Sequence, residues 1–231
     1  MNKLLSLLAA TFLGLASPVF AQAMPGTAYV TEGGAGRLEV QPDGAFALES
    51  TGANGHTCNI EGKIVRGRAL LEDGCELTFE RRGEALHVAR SGPRPEACRQ
   101  YCGARAGFDG DYFREPAQCR NPAVKAQRAA FLADYKARRF AAATARFEKL
   151  LGECGRFRWW MDEAEVRNDL ALAQHRAGRT AECRTTLKPL ERLLSGEVTF
   201  PPLEQEWANG VLPGIRFNLG LCGGTPPPAR R

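Results

Sequence analysis

A chain of 231 residues with a net charge of +5 and eight cysteines suits one or two globular domains. Beyond the first two dozen residues no stretch is long and apolar enough to span a bilayer as a helix, which excludes a multi-span helical membrane protein and leaves the N-terminal run as the one candidate anchor. Charge is uneven: residues 24–117 hold 11 Lys and Arg against 14 Asp and Glu, whereas residues 118–231 hold 19 against 12. The basic second half could attract an acidic ligand, or be an ordinary solvated helical surface. No nucleic-acid partner is expected.

Lys3, an apolar run from Leu4 to Phe20 and the Ala21-Gln22-Ala23 site have the order of a secretory signal peptide, residues 1–23. The run holds Ser6, Gly14, Ser17 and Pro18 and is short for a membrane anchor, so cleavage is expected. The first cysteine, Cys58, lies far from that site, so no lipid-bearing cysteine follows it. A bacterial periplasm is the expected compartment, with no membrane span after signal cleavage. In an oxidising compartment an even cysteine count reads as disulfides rather than metal sites. The cysteines are Cys58, Cys75, Cys98, Cys102, Cys119, Cys154, Cys183 and Cys222.

Residues 24–90 read as an antiparallel β domain. From Arg37 short alternating runs (Leu38–Val40, Phe46–Glu49, Cys58–Glu61, Cys75–Glu80, Ala85–Val88) lie between turn signals such as Pro42-Asp43-Gly44, Asn54-Gly55 and Asp73-Gly74. Six or seven such strands make a meander or a small barrel, whose apolar face needs closure or a second unit to cover it. Cys58 and Cys75 fall in strands two hairpins apart and are expected to pair. His56 and Cys58, with His87 as a third candidate, are a weak metal signal; no metal or other cofactor is expected.

Residues 91–121 read as a cysteine-containing connector. Cys98 and Cys102 are one helical turn apart, within reach of a disulfide. Their three-residue gap is not that of a thiol oxidoreductase. Cys102–Cys119 is the rival pairing. Phe108, Tyr112 and Phe113 read as residues sealing the sheet's end or the domain junction.

From Pro122 the apolar period becomes helical: Phe131, Leu132, Tyr135, then Phe140, Ala143, Phe147, Leu150 and Leu151, with a break at Ala137-Arg138-Arg139. A second unit has Val166, Leu170 and Ala173, a break at Ala177-Gly178-Arg179, then Ala181, Leu187, Leu190 and Leu194. Its break lies 40 residues after the first. Ile215–Cys222 reads as a last helix stopped by Gly223-Gly224, before a Pro-rich tail, residues 223–231.

This pattern resembles the tetratricopeptide repeat over residues 122–222. The carrying residues are Tyr135 through Ala143 with Phe147, Leu150 and Leu151, echoed by Leu170-Ala171, Gly178 and Leu187, then by Asn218-Leu219-Gly220. The 40-residue period exceeds the family's usual 34, partly through the insertion Gly155–Met161, and Cys183 stands where the family has alanine. The fold class is therefore α+β in two domains: an N-terminal antiparallel meander or small barrel and C-terminal TPR-like helical hairpins. Alternating antiparallel helices would bring Cys119 to Cys154 and Cys183 to Cys222. The resemblance implies a concave face built from the first helix of each pair, carrying Lys125, Arg128, Tyr135, Asn168, His175, Arg176 and Asn218. Such faces in the family bind peptide segments or chain termini. The adjacent Trp159 and Trp160 cannot both face one helical core: either one is exposed for a partner, or one caps the inter-repeat groove and the other covers the domain junction.

Catalytic groups are scarce. The chain has three His and lacks Gly-x-Ser-x-Gly, His-Glu-x-x-His, a phosphate-cradling loop and a dinucleotide fingerprint. The expectation is a non-enzymatic periplasmic adaptor for a protein or peptide partner. Two alternatives stand beside it. The β domain is faintly similar to small periplasmic lysozyme inhibitors, which implies inhibition of lysozyme or another cell-wall hydrolase. Asp73 with Glu76, or Glu80 with Glu84, could form the carboxylate pair of a cell-wall-active hydrolase.

Overall fold

The computed structural model describes residues 26–52 and 55–223, apart from the Leu203 side chain. The expected signal peptide and residues 224–231 of the tail lie outside the described residues. No helix among the described residues is long and apolar enough to cross a membrane.

Eight strands form one antiparallel sheet: β1 (Thr27–Thr31), β2 (Gly36–Val40), β3 (Ala45–Thr51), β4 (Thr57–Lys63), β5 (Arg68–Leu70), β6 (Glu76–Arg82), β7 (Ala85–Ser91) and β8 (Gly110–Arg114). Their order, β4-β3-β2-β1-β8-β7-β6-β5, is two four-stranded meanders joined through β1 and β8. The register aligns inward residues from strand to strand, so that Leu38 faces Leu48 and Leu48 faces Ile60. All three are buried. The sheet curls into a near-barrel. Phe46 of β3 and Phe79 of β6, far apart in strand order, meet edge to face with ring centroids 5.1 Å apart.

Two strands exceed the expected set. β1 begins before Arg37, with Ala28 and Val30 turned inward. β8 comes from the segment expected as a connector and lies at the middle of the sheet. Its five residues carry one fully buried side chain, Tyr112, whose hydroxyl donates to the Phe108 carbonyl. One inward residue in so short a strand leaves no alternation to read.

The disulfides of this unit also differ from expectation. Cys58 pairs with Cys102 and Cys75 with Cys98, rather than Cys58 with Cys75 and Cys98 with Cys102. A 3-10 helix over Pro95–Tyr101 buries Cys98, and the chain then leaves it extended at Cys102. The two sulfurs thus reach different places: Cys98 meets Cys75 just before β6, and Cys102 lies opposite Cys58 of β4 in a β-bridge. The helix is stitched on both sides to the barrel, and Cys119 takes another partner.

The helical region contains α1 (Asn121–Lys136), α2 (Phe140–Cys154), α3 (Trp160–Arg176), α4 (Thr180–Leu187), the short α5 (Glu191–Leu194) and α6 (Pro202–Leu221). α6 is much longer than the expected Ile215–Cys222, running through Gly210, Pro213 and Gly214, which break its sequence pattern. Pro213 and the helical glycines disfavour a helix locally, so tertiary packing of Ala208, Ile215 and Leu219 holds it. The α1–α2 and α3–α4 turns are alike. Arg138 and Gly178 both have positive φ, and the amides of Arg139 and Arg179 donate to the carbonyls of Asp134 and Gln174. Side chains repeat the match: Asp134 meets Arg146 of α2, and Gln174 meets Thr186 of α4. Cys119 pairs with Cys154 and Cys183 with Cys222, fastening the start of α1 to the end of α2 and α4 to the end of α6.

Candidate functional site

The expected groove residues split into two groups. Arg128 of α1 donates to the Glu165 carboxylate at 2.9 Å and to the Asp162 carbonyl at 3.1 Å. The indole of Trp207 on α6 donates to the other Glu165 oxygen at 2.9 Å. One carboxylate thus couples three helices. Beside it, burial raises the Asp169 carboxyl above its ordinary value; Arg128 pulls it down and Glu165 pushes it further up. The Asn218 amide donates to the Asn168 side-chain oxygen at 2.9 Å, a bond between α3 and α6. Tyr135 packs on Phe131 and edge-on against Phe140.

Arg128, Asn168 and Asn218 are therefore bonded within the helix packing, and Tyr135 is packed there through its ring. Lys125 and Arg176 remain exposed, and His175 is half-buried at the end of α3. Part of the basic charge of this half is likewise paired: Arg139 and Arg146 with Asp134, Arg158 with Asp162, Arg167 with Glu163, Arg179 with Glu148 and Glu182.

The two tryptophans diverge. Trp160 enters the core, stacked on Phe200 and edge-on to Trp207, with centroids 5.8 and 4.9 Å away. Trp159, extended just before α3, lines a crevice of about 320 Å³ between the two units. Gly34, Ala35, Thr51 and Gly55 form its β side; Met161 and Glu204 complete its helical side. A second recess of about 250 Å³ shares Trp159 and Glu204 and continues past Leu193, Val198 and Pro201 to Arg192. The two make one bent groove with Trp159 and Glu204 at its corner. The Glu204 carboxyl makes no ion pair among the described residues, and burial raises its pKa.

The walls of this groove are held together. Arg156 bonds Glu32 at 2.9 Å and lies over Phe113 at 4.4 Å from the ring centroid. The backbone of Gly34 packs directly on that of Phe157 and Trp159. Sequence reading marked Trp159 and Phe113 through the junction expected there. Glu204 carries no such signal, because its position at the corner depends on where α6 begins.

The remaining sequence candidates are engaged elsewhere, apart from Glu84, which is exposed in the turn between β6 and β7. Cys58 is in a disulfide and His56 Nδ1 bonds the Ala104 carbonyl. His87 bonds Asp111 at 2.6 Å. Glu76 pairs with Arg68, Glu80 with Arg82, and Asp73 accepts from the Tyr101 hydroxyl. Among the described residues no three His, Cys, Asp or Glu side chains cluster as metal ligands would. Comparison with protein-family models, curated proteins and solved structures finds no match for this chain.

Proposed function

We propose that this chain is an exported, non-enzymatic binding protein of the periplasm, and that a protein or peptide partner lies in the groove at the junction of its two units. Four disulfides support an oxidising compartment. The turns and side-chain pairs that recur at a 40-residue offset support a degenerate TPR-like helical unit. The observation that carries the reading is the groove: concave, mostly apolar, and located between units, where ligand sites concentrate. The inner helical face supports it less well, since its polar groups bond one another.

The groove's chemistry selects its occupant. Trp159 offers an aromatic face, and beside it Glu204 offers a carboxylate with no ion pair among the described residues. A basic side chain flanked by apolar ones would satisfy both, through a cation–π contact and a charge-assisted bond. Panning a random peptide library against the mature chain tests this. The expected result is enrichment of segments combining basic and apolar residues, lost in Trp159→Ala and weakened in Glu204→Gln. Affinity should fall on acidification from a pH above the ordinary glutamate range, because the protonated Glu204 that burial favours has no charge to offer. Equal enrichment by the Trp159→Ala protein would reject the groove.

A further inference from the structure

The β unit carries a second recess, of about 420 Å³, that the proposed function does not use. Its lining includes Arg90, Arg99 and Arg105, with Asp109 as the one acidic side chain among them. A basic recess stands out on this unit, where acidic residues outnumber basic ones (14 to 11 over residues 24–117).

The loop that forms it, residues 103–109, has no helix or strand but is pinned at many points. The Cys58–Cys102 disulfide fixes its start, and the Gly103 amide donates to the Thr57 carbonyl at 2.9 Å. His56 bonds the Ala104 carbonyl. Ser50 donates to the Gly107 carbonyl at 2.8 Å, and Tyr112 to that of Phe108 at 2.9 Å. Asp109 accepts from both the backbone amide and the side chain of Arg90, whose guanidinium also lies over the Phe108 ring. The anchors come from β3, β4, β7 and β8, so the loop is built on rigid elements, as a preorganised site requires.

Two of the three cations are left uncompensated. Arg99 and Arg105 form no ion pair among the described residues, and Arg105 sits at φ +69°, a backbone region that disfavours side chains. Like charges held around one recess repel, and an anion between them reverses the sign of that interaction. Guanidinium groups offer paired N–H donors matched to the oxygens of carboxylate and phosphate.

We propose that this recess binds a small oxyanion, a carboxylate or phosphate group, with Arg99 and Arg105 as its charge-bearing contacts and Arg90 as the fixed wall. The site is separate from the junction groove, so each can fail without the other.

The test uses the mature chain with all four disulfides, in chloride buffer at constant ionic strength. Inorganic phosphate and N-acetylglycine are titrated separately while the amide resonances of residues 103–107 are followed by NMR. The expected result is saturable shifts with at least one probe, and a loss of affinity of about tenfold or more in Arg99→Gln with Arg105→Gln. Phosphate alone would mark a phosphate ligand; N-acetylglycine alone, a carboxylate. Both residues are exposed, and an unchanged melting temperature confirms that the double variant folds. Shifts with neither probe, or equal affinity in the double variant, would overturn the proposal.

Discussion

Gly34 lies against Trp159: a β-carbon on Gly34 would stand 2.6 Å from the Trp159 amide nitrogen and 2.7 Å from the Phe157 carbonyl oxygen. This contact sets how closely the near-barrel approaches the helices. Gly33 next to it is a built-in control, with a similar positive φ and open space around it. Gly33→Ala should cost about 1–2 kcal/mol, the backbone penalty for a left-handed residue. Gly34→Ala should cost about 1–3 kcal/mol more, because two backbones must separate. Urea denaturation compares the two. Only the second should also shift the tryptophan emission of the folded state, by exposing Trp159.

The Asn168–Asn218 bond should matter for stability. Asn218 is buried, so Asn218→Ala removes a hydrogen bond and leaves the Asn168 oxygen without its donor. The expected loss is about 1–3 kcal/mol. If the pair instead served ligand contact, the melting curve would be unchanged.

Peptide mapping of the oxidised protein should recover Cys58 joined to Cys102 and Cys75 joined to Cys98. Replacing both Cys58 and Cys102 by serine frees a segment of 44 residues, for an expected loss of about 4 kcal/mol on the chain-entropy account. The same double variant should make the loop at residues 103–109 susceptible to protease, since the disulfide is one of its anchors.

Acid should loosen the first helical hairpin through Asp134. Hydrogen bonds from Arg139 and Arg146 hold its carboxyl below the ordinary aspartate value. A depressed folded-state pKa gives stability that is present above the unfolded pKa and is lost as pH falls through the folded one. Wild-type stability should therefore drop between pH 4 and lower values more steeply than that of Asp134→Asn, which has no proton to gain there. Denaturation midpoints across this range check the slope.

Much of this architecture is legible in local pattern. The β2–β4 and β6–β7 strands announce themselves by alternation, and the paired breaks at Arg138 and Gly178 reveal the two helical hairpins. The Cys119–Cys154 and Cys183–Cys222 pairings follow from helix order, because antiparallel helices bring chain ends together. The front pairings do not follow, since curvature of a sheet and the exit direction of a 3-10 turn decide which thiols meet. β8 is hidden because its partners β1 and β7 lie elsewhere in the sequence. For the groove, Trp159 can be read and Glu204 cannot. Of the polar residues expected on the helical face, Arg128, Asn168 and Asn218 bond to neighbouring helices, and those bonds emerge only in three dimensions.

The seam between β1 and β8 has a consequence for the order of assembly. As the chain emerges from its N-terminus, the first four strands can form a meander, and the next three can form another. Neither is closed, and each exposes an unpaired edge of the kind that recruits foreign strands. Only when Tyr112 arrives can β8 slot between the two ribbons and turn a pair of sticky fragments into a finished wall. Truncation just short of residue 110 should therefore yield aggregates, not a smaller folded protein.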